Sequence, residues 1–146
     1  MLRRLALAAL VAVGFAAAAS AAFNPIETRK NLMKDNGAAA KAMSDMIKGD
    51  ALYDPVKAQL AMRLIYSDIV GFQFLFPENS KTGDDTAAKP EIWENRADFN
   101  ARIEKLAADA WTGIEPASKG LDALKPAFQK VAQNCQGCHE HYRMNK

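Results

Sequence analysis

Residues 122–144 read DALKPAFQKVAQNCQGCHEHYRM, a helix-forming stretch that holds both cysteines and both histidines of the chain. Within it, Cys135-Gln136-Gly137-Cys138-His139 has the spacing C-x-x-C-H, the attachment motif of a c-type haem. The spacing has a chemical reason. Two thiols three residues apart add to the two vinyl groups of one porphyrin, and the histidine directly after the second cysteine brings its imidazole below the iron. His139 is therefore the expected proximal ligand, through Nε2, with the other ring nitrogen donating to a carbonyl or a water. Attachment consumes both thiols, so no disulfide is expected. A thioredoxin-like dithiol would open a helix in a βαβ unit, whereas Cys135 and Cys138 stand near the end of a long helix. A structural zinc site takes four ligands. Beyond the motif only His141 remains, and it reads as a surface histidine on nearly the opposite side of the helix.

Outward from this stretch the chain reads as all-α. After residue 23 it has only three Val and four Thr, with Ala, Leu, Met, Lys and Glu plentiful, a composition that disfavours sheet. Four amphipathic helices are expected. The first opens with Asn24 as N-cap and Pro25 at the first helical position. Its inward stripe is read as Ile26, Met33, Ala40 and Ile47, and Gly49-Asp50 stops it. The second opens at Asp54-Pro55, carries Val56, Leu60 and Leu64, ends in Phe72, Phe74 and Phe76, and stops at Pro77. Residues 77–88, PENSKTGDDTAA, form the longest loop. Pro90 opens the third helix, through Ile92, Trp93, Phe99, Ile103, Leu106 and Ala110, with Gly113 and Pro116 closing it. The fourth starts near Asp122 and runs to about Met144, with Pro126 requiring a late start or a kink. Such helices suggest an up-down-up-down four-helix bundle, with a three-helix bundle containing a split helix as the alternative.

The chain has 146 residues, one domain's length, and a formal charge of +2. That is too small a basic excess for a nucleic-acid binder. Residues 1–22 read as a secretory signal peptide: Arg3 and Arg4, the apolar run Leu5–Ala19, then the small residues Ser20-Ala21-Ala22. The apolar run is short for a membrane span. Cleavage after Ala22, with Ala21 nearly as good, would leave 124 residues with 17 basic and 17 acidic side chains. Both extra positive charges belong to the signal.

The sixth iron position decides the chemistry. In an up-down-up-down bundle the end of the last helix is level with the start of the first. Met33 is then about 12 Å into the first helix, at the depth of His139. Met43 and Met46 lie about 27 and 31 Å in, and Met62 about 21 Å from the near end of its helix. Met144 shares the attachment helix. The residues alone leave Met33 open as either an iron ligand or a core filler. Arg29, one turn before it, could pair with a haem propionate or be a solvated helix charge.

Three motifs carry a resemblance: CQGCHEHYR at Cys135–Arg143, TRKNLMKDNG at Thr28–Gly37, and Pro90-Glu91-Ile92-Trp93 with Phe99. With them the chain resembles the cytochrome c′ family, more closely its low-spin cytochrome c-556 type. The resemblance implies an antiparallel four-helix bundle, one haem c, a periplasmic location and His139 as proximal ligand. It implies Arg143 close to the proximal haem face and Met33 over the distal face. In typical cytochrome c′ that position is an apolar non-ligand and the five-coordinate iron binds small gases; in the c-556 type it is a ligating Met. It further implies Arg29 as a propionate partner, with Trp93 and Phe99 lining the pocket. The expectation is a periplasmic, low-spin electron carrier, not an enzyme, that serves redox partner proteins. The alternative is a five-coordinate cytochrome that binds nitric oxide or carbon monoxide. No membrane span is expected after signal cleavage. An antiparallel homodimer through the first two helices is compatible with the apolar surface of helix two.

Overall fold

The computed structural model describes residues 23–145. The segment expected to be a signal peptide, residues 1–22, lies outside them. The elements are α1 (Pro25–Lys48), α2 (Pro55–Ile69), α3 (Glu91–Glu94), α4 (Arg96–Ala117) and α5 (Leu121–Tyr142), with 3₁₀ turns at Phe72–Leu75 and Glu78–Ser80. The four long helices form a closed antiparallel bundle in which α1 packs on α2, α2 on α4, α4 on α5, and α5 more sparsely on α1. Among the described residues no helix is long and apolar enough to cross a membrane.

The helix starts follow from capping. Asn24 Oδ1 accepts from the Ile26 and Glu27 amides at 2.9 and 3.1 Å. Asp54 Oδ1 accepts from Val56 and Lys57 at 2.9 and 3.0 Å. Each satisfies two of the four amides that a helix start leaves unpaired.

Other boundaries differ from the sequence expectation. Helix α2 ends at Ile69, not beside Pro77, because Gly71 takes the left-handed conformation (φ 80°) and turns the chain. This turn buries Phe72 and Phe76 and leaves Phe74 80% exposed. Pro90 opens only the short α3. Asn95 is non-helical (φ −124°, ψ 53°), and α4 starts at Arg96. Across that break, Trp93 Nε1 and Arg96 Nη2 both donate to the Phe76 carbonyl, at 3.0 and 2.6 Å.

Gly113 and Pro116 lie inside α4 rather than closing it. Gly113 is a packing position: a Cβ there would stand 3.0 Å from Met62 Cε on α2. Helix α5 begins at Leu121, accommodates Pro126 in its second turn and ends at Tyr142, two residues before Met144. There it is tied to the long loop, with Lys89 donating to the Tyr142 carbonyl and Met144 to the Ala87 carbonyl, at 3.0 and 2.8 Å.

Met43, Met46, Met62, Ile65, Leu124 and Val131 are sealed in the core, and full burial of such a side chain contributes about 1.5–3 kcal/mol. The inward face of α1 is Arg29, Asn36 and Met43 with Ala39 and Met46. Of the expected stripe Ile26 is buried, while Met33, Ala40 and Ile47 are half-buried on its flank. The reason is that two polar side chains, Arg29 and Asn36, occupy inward positions that an apolar pattern passes over.

Candidate haem site

The last two turns of α5 carry Cys135, Cys138 and His139. Both cysteines are unpaired, half-buried and packed on the rim of the core. Burial raises the Cys135 thiol above its usual value, and it pushes Cys138 up to about 11. Both are therefore protonated at neutral pH, unlike the depressed thiol of a dithiol oxidoreductase. His139 reaches solvent, yet desolvation first and the Arg143 charge second hold its imidazole below the ordinary value. A neutral imidazole is the metal-ligating form. Arg143 follows α5 directly and donates its amide to the His139 carbonyl at 3.1 Å.

Across the bundle, Met33 and its neighbour Leu32 are half-buried and pack against the same core as the two cysteines. Arg29, four residues earlier, is 5% exposed, so it is not a solvated helix charge. Its Nη1 donates to the Leu75 carbonyl and Ser80 Oγ, both at 3.0 Å. Its Nη2 donates to the Ser80 carbonyl at 2.9 Å and to Thr86 Oγ1 at 2.7 Å. The guanidinium lies 4.6 Å from the Phe76 ring centroid. None of these partners carries a negative charge, and desolvation lowers its pKa.

Phe76 stacks edge-on against Phe99 (4.8 Å), and Phe99 against Tyr142 (5.2 Å). Phe99 is buried, and Trp93 is half-buried beside Phe76 at 5.9 Å. The structure thus brings Arg29, Trp93 and Phe99 to the end of the bundle that carries His139. His141 is exposed, as expected of a surface residue.

Sequence reasoning missed Asp98 and Arg102 on α4, and it missed Tyr142 as their partner on α5. The available signal was an acid and a base four residues apart, opposite a tyrosine three residues after the motif histidine. Tyr142 is pushed up to about 12, first by burial and then by its bond to Asp98. A pKa raised in the folded state gives stability that is complete below about pH 10 and lost as pH rises through about 12. Tyrosinate absorbance should therefore show one of the three tyrosines ionising late, and Tyr142→Phe should remove that step; a single transition near pH 10 in the native protein would contradict it.

These residues fit a covalently held haem: two protonated, unpaired thiols at the attachment spacing, a neutral imidazole beside them, and a buried cation without an anion. Among the described residues no group of three or more His, Cys, Asp or Glu side chains gathers to hold a metal. A four-helix bundle with an attachment motif on its last helix defines a monohaem c-type cytochrome.

The chain matches the family profile Cytochrome C′ over residues 24–143 and belongs to the cytochrome c′ family. It carries covalent haem c through Cys135 and Cys138. It is 39% identical to a cytochrome c′ of Rhodopseudomonas palustris over 99% of this chain and 98% of that protein. It is 33% identical to a cytochrome c-556 of Agrobacterium tumefaciens over 83% of this chain and 98% of that protein. A solved cytochrome c′ structure from Rhodopseudomonas palustris superposes with a TM-score of 0.81 at 38% identity, covering 85% of this chain and 98% of that one. A second solved structure, with a TM-score of 0.77 at 26% identity, covers 86% of this chain and all of that one; it is of a cytochrome c′ with ligand-controlled dimer dissociation.

Proposed function

We propose that the protein is a periplasmic carrier of single electrons, with a low-spin haem ligated by His139 and Met33. The observation that supports this reading is Met33 itself: a thioether half-buried on the flank of α1, about 12 Å from the helix start, the depth expected of a residue near the end of the antiparallel α5. The haem supplies one-electron chemistry at its iron. The chain's own residues do the rest. Cys135 and Cys138 fix the group, His139 presents a neutral imidazole, and Met33 presents a soft sulfur. A Met/His pair raises the potential, and two protein ligands kept in both oxidation states limit rearrangement on transfer. Arg29 offers a buried cation to a propionate, Arg143 stands at the proximal side, and Trp93 with Phe99 walls the site. Residues 1–22 direct export.

The test is the absorption spectrum of the purified protein. A low-spin spectrum with the weak near-infrared Met-to-iron band is expected. A high-spin spectrum would overturn the reading in favour of a five-coordinate, gas-binding cytochrome. That second reading is favoured by the 39% identity to a protein named cytochrome c′.

The same reading includes a homodimer through α1 and α2. Leu52, Val56, Leu60 and Leu64 are 94, 65, 59 and 40% exposed. The last three line a shallow groove of about 450 Å³ with Ala39 and Ala42 of α1. An apolar stripe of this kind marks an interaction surface. Sedimentation should give a dimer at micromolar concentration and a monomer for Leu60→Glu; a monomeric wild type would refute it.

A further inference from the structure

The end of α5 is braced from behind by side chains that the haem reading does not use. Asp98 of α4 accepts two hydrogen bonds at one oxygen, Oδ2: from the Tyr142 hydroxyl at 2.6 Å and from Arg102 Nε at 2.7 Å. Tyr142 is 5% exposed and stands three residues after His139. The Arg102 guanidinium lies 6.0 Å from the Tyr142 ring centroid. Its Nη1 passes 3.6 Å from the point where a Cβ on Gly137 would stand, inside the attachment motif. We propose that Asp98 is a positioning residue for the haem-bearing turn: it clamps Tyr142 and Arg102 against the Cys135–His139 segment and holds one negative and one positive charge behind it.

Two consequences follow from this geometry. Tyr142 continues through Phe99 to Phe76, which Arg29 of α1 covers. Asp98 therefore anchors the α5 end of a ring column joining the helix of His139 to that of Met33. The charges act separately from the geometry. A negative charge close to a haem favours the oxidised, more positive iron, and a positive charge favours the reduced one. The pair is balanced, so removing either member unbalances it.

The inference rests on haem attachment at Cys135 and Cys138 and is independent of whether Met33 ligates. The experiment measures the midpoint potential of the haem-loaded full chain at low ionic strength, because Asp98 and Arg102 are partly exposed and salt screens such charges. Asp98→Asn should raise the potential and Arg102→Gln should lower it. Asp98→Glu should return most of the Asp98→Asn shift. Tyr142→Phe changes no charge, so it should leave the potential near wild type while broadening the iron's electron paramagnetic resonance signal as the turn loosens. The proposal is overturned if Asp98→Asn and Arg102→Gln leave the potential unchanged, or move it in the same direction. An Asp98→Glu variant no different from Asp98→Asn also overturns it. Should Asp98→Asn fail to assemble, Arg102→Gln and Tyr142→Phe decide: an unchanged potential in the first, or an unchanged signal in the second, is equally fatal.

Discussion

Met33→Ala should convert the haem from low-spin to high-spin, abolish the near-infrared Met-to-iron band and open the iron to carbon monoxide. The effect is all-or-none because the thioether is the one soft donor at that depth of α1. The other methionines of the bundle, Met43, Met46 and Met62, are sealed in the core. Met46 Sδ already accepts the Asp54 amide at 3.4 Å. The stability cost should be only about 1–2 kcal/mol, below that of a fully buried methionine, because Met33 is half-buried. Leu32→Ala is the control. It removes similar apolar area from the same rim and should leave the spectrum low-spin. Equal spectral changes in the two variants would show that packing, not ligation, sets the spin state.

Arg29→Ala should destabilise the fold by about 3 kcal/mol and lower the melting temperature by about 10 °C. Four acceptors would lose a donor at once: the Leu75 and Ser80 carbonyls, Ser80 Oγ, and Thr86 Oγ1, which alone keeps a second donor, the Ala88 amide at 3.2 Å. Each unsatisfied buried acceptor costs about 1–3 kcal/mol, partly offset because the desolvated cation also goes. The damage should be local first. Arg29 is the strut between α1 and the long loop, so proteolytic cleavage between residues 77 and 88 should accelerate before global unfolding. Arg29→Lys should recover part of the loss, because an ammonium has three donors and cannot reproduce the planar fork that meets two carbonyls and two hydroxyls. A melt within about 1 °C of wild type for Arg29→Ala would remove the strut role.

The attachment motif, the N-caps of the first two helices and the presence of four long helices were legible from local chemistry. Asn24 and Asp54 precede prolines, and such a pair acts on its own few residues whatever surrounds it. The ends of α2 and the third helix were less legible. The run Phe72–Phe76 continues an apolar pattern, but Gly71 at φ 80° breaks the backbone before it. Gly113 reads as a stop from composition, yet its use is to let Met62 of α2 approach. That partner lies 51 positions away in the chain, where periodicity has no reach.

The site divides in the same way. By itself the sequence determined the attachment chemistry, because Cys135, Cys138 and His139 act within one turn of one helix. It also singled out Met33, by helix rise and depth. Only the tertiary structure decided that Arg29 is buried among neutral acceptors from a loop about 50 residues away. Only it decided that Asp98, Arg102 and Tyr142 meet. Hydrogen bonds between helices depend on which faces turn together, and that is settled when the whole core packs, not by spacing along any one helix.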